Sequence, residues 1–147
     1  MKHGTRLVAG LSAVGLATAF LTGCGSKDPD QALCDDVTAL VEAEGASNSQ
    51  ELDQKIGNDP AKLAEMSKGL REAAEKNKDS QYAKSIDLAG RIVEVAAKGA
   101  ESADAGQVDQ AILDELASLG KEAATSEMQQ NRQEFSEKCP AFVTGTN

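Results

Sequence analysis

The chain has 147 residues and carries 24 acidic against 15 basic side chains, a net charge of −9 at neutral pH. That is one domain's worth of chain, and the acidic balance argues against nucleic-acid binding, because neutralising phosphate needs a basic surface. The chain is rich in Ala, Glu, Lys, Gln and Leu, aromatic residues make up 3% and Trp is absent, a composition that favours helices.

Lys2 and Arg6 open the chain with no acidic neighbour, and residues 7–21 are apolar and small. A charged start followed by about 15 apolar residues reads as an export signal, since a membrane-spanning helix needs about 20. Leu21-Thr22-Gly23-Cys24 closes the run. This tetrapeptide, in this position, resembles the lipobox of bacterial lipoproteins. The resemblance covers residues 1–24. It implies that the Cys24 thiol receives a diacylglyceryl group, that a peptidase removes residues 1–23, and that the new N-terminus anchors the protein to membrane lipid. His3, the sole histidine, leaves with the signal, and loss of Lys2 and Arg6 takes the net charge from −9 to −11.

Residues 24–29 form a tether. About five residues, roughly 17 Å of extended chain, separate the lipid from the first helix, so the domain is expected to sit against the membrane. The domain itself is expected over residues 30–143, with a tail at 144–147. Its first helix starts near Pro29, with Asp28 as N-cap and Gln31 at a capping-box spacing. Leu33, Cys34, Val37, Leu40 and Val41 share one face, and Gly45 with the polar run 47–49 ends the helix. A short helical turn is expected at 50–56, stopped by Gly57.

The second main helix opens at Asp59-Pro60, an N-cap followed by proline at the first position, and runs to about Asn77 on Leu63, Met66, Leu70, Ala73 and Ala74. The third is expected over 80–98, between Asp79 as cap and Gly99 as stop. Tyr82, Ile86, Ala89, Val93 and Ala96 make its stripe, widened by Leu88, Ile92 and Val95. Gly90 inside it costs about 1 kcal/mol relative to Ala unless it allows a close helix–helix approach. Asp87 with Arg91 and Glu94 with Lys98 are expected as i,i+4 pairs on the wet side. After a loop at 103–106, the helical pattern from Gln107 to Lys138 is about 48 Å long, which predicts a break at Gly120 or at the cap-like Thr125-Ser126. Val108, Ala111, Ile112, Leu116 and Leu119 precede the break. Met128, Phe135 and Cys139 follow it, and Pro140 ends the helix. Phe142 and Val143 are expected to fold back.

No stretch alternates with period two, so the expected fold is all-α, a four- to five-helix bundle. Besides Cys24 the cysteines are Cys34 and Cys139, and an isolated pair in an exported protein reads as a disulfide. Here it would clamp the first helix to the last. It would close a loop of about 105 residues, which is about 4–5 kcal/mol in the chain-entropy model.

Chemistry finds little purchase. Without a histidine after cleavage there is no Ser-His-Asp or Cys-His arrangement and no imidazole metal site, and phosphate-binding glycine motifs and calcium loops are absent. Asp35-Asp36 read as solvated acids near a helix start. No catalytic residue, cofactor or metal ligand is assigned, and an enzyme is not expected. Residues 60–99 are net +2 between acidic segments of −7 and −6. Either Lys62, Lys68, Arg71, Lys76, Lys78 and Lys84 face anionic lipid or an acidic partner, or they complement acidic helices of the same bundle. Tyr82 and Met66 either line a small apolar pocket or belong to ordinary core.

The expected function is a lipid-anchored, non-enzymatic interaction module on the extracytoplasmic face of the cell membrane, with an envelope protein as partner. The composition also resembles small actinobacterial surface lipoproteins. The alternatives are a helical bundle that binds a small apolar ligand or lipid, or a phage-encoded superinfection-exclusion lipoprotein. Cys24→Ser is expected to move the protein from the membrane fraction to the supernatant. A variant that stays with the membrane removes the lipobox reading.

Overall fold

The structure, a computed structural model, describes residues 27–106 and 109–142, with Asp104 described by its backbone alone. The lipobox, the tether as far as Ser26, Gln107, Val108, Val143 and the tail at 144–147 lie outside the described residues. Within them are six helices and no strand: α1 (Pro29–Ala43), α2 (Ser49–Ile56), α3 (Pro60–Lys76), α4 (Ala83–Asp104), α5 (Gln110–Ala123) and α6 (Ser126–Lys138).

The count exceeds the expected four or five for two reasons. The short segment after α1 forms a complete helix, because Asn48 accepts from the Glu51 amide at its start and Gly57, at φ +55°, turns the chain at its end. The long last pattern is two helices. Gly120 stays inside α5, and the break falls at Ala124, where the Thr125 hydroxyl accepts from the Met128 amide and starts α6.

The two Asp-Pro starts fold as read. The Asp28 carboxylate accepts from the Asp30 amide, and Asp59 accepts from the amides of Ala61 and Lys62. Gln31 does not close a box; its amide donates to Asp35. α4 departs from expectation at both ends. Asp79 caps nothing, and the helix begins after Tyr82 without a side-chain cap. Gly99 does not stop it either. A Cβ there would touch Ile112 of α5 at 3.7 Å, so packing carries the helix onward. The turn comes at Gly106, with φ +77°.

α4 is the axis of the bundle. Its interface with α3 is the most extensive in the fold and that with α5 comes next. The two apolar rows of α4 face different neighbours. Tyr82 and Ile86, with Ala89 and Val93, join the core built from α1, α2, α3 and α6. Leu88 and Val95, with Ile92, join Leu119, Met128, Ile112 and Leu116 from α5 and α6. Gly90 lies where α4 crosses α3: a Cβ there would stand 2.6 Å from Arg71 Cγ and 3.1 Å from the Ser67 carbonyl oxygen. Close approach is therefore what this glycine provides.

Cys34 and Cys139 are bonded, with their Cα atoms 5.4 Å apart, and join the first helix to the end of the last. The rings of Tyr82 and Phe135 lie 5.3 Å apart beside the bridge, and Phe142 meets Phe135 at 5.3 Å, edge to face. Such contacts add about 0.5–1.5 kcal/mol each beyond burial.

Two helical glycines give opposite expectations. Gly90→Ala is expected to lower Tm despite the better helix propensity, because a methyl group forces α3 and α4 apart, typically about 1–3 kcal/mol. Gly120→Ala, with nothing within 4 Å of the added Cβ, is expected to stabilise by about 0.5–1 kcal/mol. Thermal denaturation followed by circular dichroism checks both, and a stabilised Gly90→Ala would refute the close-approach argument.

Candidate functional site, an apolar cavity roofed by the C-terminal segment

The cavity is built from five segments. α1 contributes Val37, Leu40 and Val41, one turn and more beyond Cys34 on the same face. α2 contributes Leu52 and Ile56, the pair four apart that its pattern promised. Leu63, Met66 and Leu70 come from α3, and Ala89 and Val93 from α4. Phe142 closes the last side. It is held there twice over: its amide donates to the Cys139 carbonyl at 2.9 Å, and the Ser49 amide donates to the Ala141 carbonyl at 2.8 Å, tying the C-terminal segment to the start of α2.

The hollow, open to solvent on one side, has a volume of about 420 Å³, within the usual range for small-molecule sites. Its mouth is polar, where Asp53, Gly57 and Asn58 are exposed. A second apolar cavity of about 320 Å³ lies between α4 and the α5–α6 pair, with Arg132 at its edge, and shares the Ala89, Val93 and Phe142 wall with the first. The trough of about 510 Å³ between α3 and α4 is different in kind. It is a charged surface groove, in which Arg71 is already held by Glu94 at 2.9 Å and Asp87 at 3.7 Å.

Electrostatics separate two aspartates. Asp53 sits at the cavity mouth, and its partial burial against the apolar rim pushes its carboxyl up from the ordinary value. Asp30 is half-buried where α1, the α3–α4 turn and α6 converge. Burial works to raise it, but donation from Ser80 at 2.7 Å, from Gln81 and from Lys138 at 3.4 Å outweighs burial and holds it below the usual carboxylate range. Lys138 also lies over the Tyr82 ring, 5.1 Å from its centroid.

The residues singled out from sequence are placed as follows. Cys34 and Cys139 are together. Cys24 lies outside the described residues. Met66 is both core and cavity wall, whereas Tyr82 is fully buried away from the cavity and donates its hydroxyl to Glu134 at 3.3 Å. Of the acidic pair, Asp35 faces Lys27 and Gln31. Asp36 reaches across to α3, where it accepts from Lys76 at 2.8 Å and from Asn77 at 2.7 Å. The Glu94–Lys98 pair forms, but Arg91 passes over Asp87 for Glu122 on α5. The basic hairpin thus spends Arg71, Lys76 and Arg91 on acids of neighbouring helices. Among the described residues no group of three or more His, Cys, Asp or Glu is placed to hold a metal ion. None of the described helices is long and apolar enough to cross a membrane.

Phe142 folds back onto the bundle as expected, while sequence reasoning missed Asp53 and the cavity that Phe142 walls. The signal available for Asp53 was its position beside Leu52 and between Ser49 and Ile56 on a helix too short to bury its whole circumference. No protein-family model matches the chain, and neither a curated protein nor a solved structure is significantly similar to it.

The two aspartates predict opposite pH effects. Asp30 has a depressed folded value, so its contribution is present above the unfolded value of about 3.8 and is lost as pH falls through the folded one. Asp30→Asn is expected to cost about 1–3 kcal/mol at pH 7, as for hydrogen bonds to a charged group, and much less near pH 3. Asp53 has a raised folded value, so its contribution lowers stability as pH rises from about 3.8 through the folded value and is constant above it. Asp53→Asn is expected to leave stability at pH 7 within about 0.5 kcal/mol of the parent or above it. Urea unfolding at both pH values measures all four quantities.

Proposed function

We propose that the protein is a lipid-anchored, non-enzymatic binding module on the extracytoplasmic face of the cell membrane, and that what it binds is a small apolar molecule. The apolar cavity between α1, α2, α3 and α4 carries the reading. A half-open hollow of about 420 Å³ walled mainly by Leu, Val, Ile, Met and Phe, with a few polar groups at its mouth, is the kind of concave, mostly apolar surface that takes a small ligand. Two further features support the placement. Leu21-Thr22-Gly23-Cys24 resembles a lipobox, and a disulfide between α1 and the end of α6 suits an oxidising compartment.

An envelope protein as partner has less behind it. Among the described residues Leu113 is the single large hydrophobic side chain left exposed, whereas protein interfaces centre on clustered apolar anchors. A bundle that binds an apolar molecule within reach of the membrane would take it from, or deliver it to, the bilayer beside its own anchor.

The test is native mass spectrometry of the full chain carrying Cys24→Ser, purified without detergent, together with thermal unfolding against single-chain amphiphiles. A ligand of one-to-one stoichiometry is expected, with about 2.7 kcal/mol of stabilisation at a hundredfold excess over Kd. Val93→Phe, which fills the cavity from α4, is expected to abolish both. Absence of a bound molecule and of any thermal response across the series would sink the proposal.

A further inference from the structure

The mouth of the cavity carries information about the head of its ligand. Asp53 is the one charged residue among those lining the cavity. Among the described residues its carboxylate receives no hydrogen bond and no ion pair. The cations nearest in sequence are committed elsewhere. Lys55 pairs with Glu51 at 3.3 Å and also donates to the Gly45 carbonyl oxygen, and Lys62 points its ammonium at the Lys55 carbonyl oxygen at 3.5 Å. Glu51, for its part, accepts from the Ser47 amide at 2.8 Å and is satisfied within the α1–α2 corner. An uncompensated carboxylate at the rim of an apolar cavity, in a chain of net charge −9, is complementary to a cation and repels an anion.

We infer that the cavity selects an amphiphile with a single apolar body and a cationic head, an alkylammonium type of ligand, whose ammonium pairs with Asp53 while its hydrocarbon lies against Leu40, Leu52, Met66, Val93 and Phe142. This rests on the apolar-ligand reading and deepens it. The ion pair leaves the buried hydrocarbon to supply most of the affinity and assigns selection among heads to Asp53.

Arg132 lines the neighbouring cavity across the Phe142 wall rather than this one. It therefore provides an internal control, since an anionic amphiphile would find its complement there.

The experiment uses the full chain carrying Cys24→Ser and three probes of one chain length below their micelle concentrations: decylamine, decanol and decanoate. Binding is measured by calorimetry at 0.15 M salt for the parent, for Asp53→Asn and for Arg132→Gln. The expected order is amine above alcohol above carboxylate. Asp53→Asn is expected to weaken the amine on the order of fivefold, the scale of a solvent-accessible ion pair, while leaving the alcohol unchanged. Arg132→Gln is expected to leave the order as it is. Equal binding of the three heads, or an order unaltered in Asp53→Asn, overturns the head-group assignment and leaves the apolar-ligand reading standing. A preference for decanoate that disappears in Arg132→Gln overturns it in favour of the second cavity. Failure of all three probes overturns both, and Val93→Phe, run alongside, distinguishes binding in the cavity from adhesion to the acidic surface, which that substitution would not change.

Discussion

The bond between Cys34 and Cys139 is the constraint from which the rest of this structure follows. It joins residues 105 apart, so it closes most of the domain into a single loop and removes about 4–5 kcal/mol of chain entropy from the unfolded state. Its position matters as much as its strength. Cys34 is in the second turn of α1, and Cys139 is the residue that ends α6. Fixing those two points fixes the direction in which the chain leaves the last helix. Three residues later comes Phe142, whose ring meets Phe135 on one side and walls the apolar cavity on the other. The covalent clamp and the candidate site are thus connected through a handful of residues, held also by the backbone bond from Ser49 to Ala141.

Polar groups reinforce the same end of the bundle. Asp30 accepts from Ser80 and Gln81 at the α3–α4 turn and from Lys138 at the end of α6, and Lys138 covers the Tyr82 ring. Asp36 performs a similar task nearly two turns on, toward Lys76 and Asn77. Exposed pairs contribute little singly, but those around Asp30 are partly shielded and share acceptors. Among the described residues no buried side-chain nitrogen or oxygen lacks a partner. The bridge end of the molecule is therefore closed by covalent, aromatic and charge-assisted contacts together.

The sequence carried the parts of this fold that depend on local chemistry. Asp-Pro starts at Pro29 and Pro60, the stop at Gly57 and the cap at Thr125 are decided within four residues, and each was legible. The cysteine pair was legible because, apart from Cys24, only Cys34 and Cys139 are available to bond. What escaped depends on partners distant in sequence. Gly99 resembles a stop until Ile112 packs beside it, and Arg91 prefers Glu122 on another helix to Asp87 one turn away. The rows of α4 read as one wide face because periodicity reports which residues are apolar, not how many neighbours divide them. The cavity was least legible of all, since its wall is assembled from five segments and its charged rim from a residue that looks like any surface aspartate.

Composition explains why there is a cavity at all. Aromatic residues carry the largest volumes available to a core, and the described chain has Tyr82, Phe135 and Phe142 alone. The three meet at Phe135, with Tyr82 tilted against it and Phe142 edge-on to it. The opposite side of the same core must be filled by aliphatic side chains from α1 through α4, and several facing positions there hold Ala or Gly. At Gly69 and Gly90 the small residue draws helices together, Gly69 against Leu40 of α1 and Gly90 against Arg71 of α3. Leu40 is also part of the cavity wall. Close approach at these two crossings places helix axes near one another on the side away from the aromatic residues. A core that concentrates its bulk at a covalently clamped end and its small residues at the helix crossings retains a hollow between them, and the mouth of that hollow opens beside the one helix, α2, that is too short to cover it.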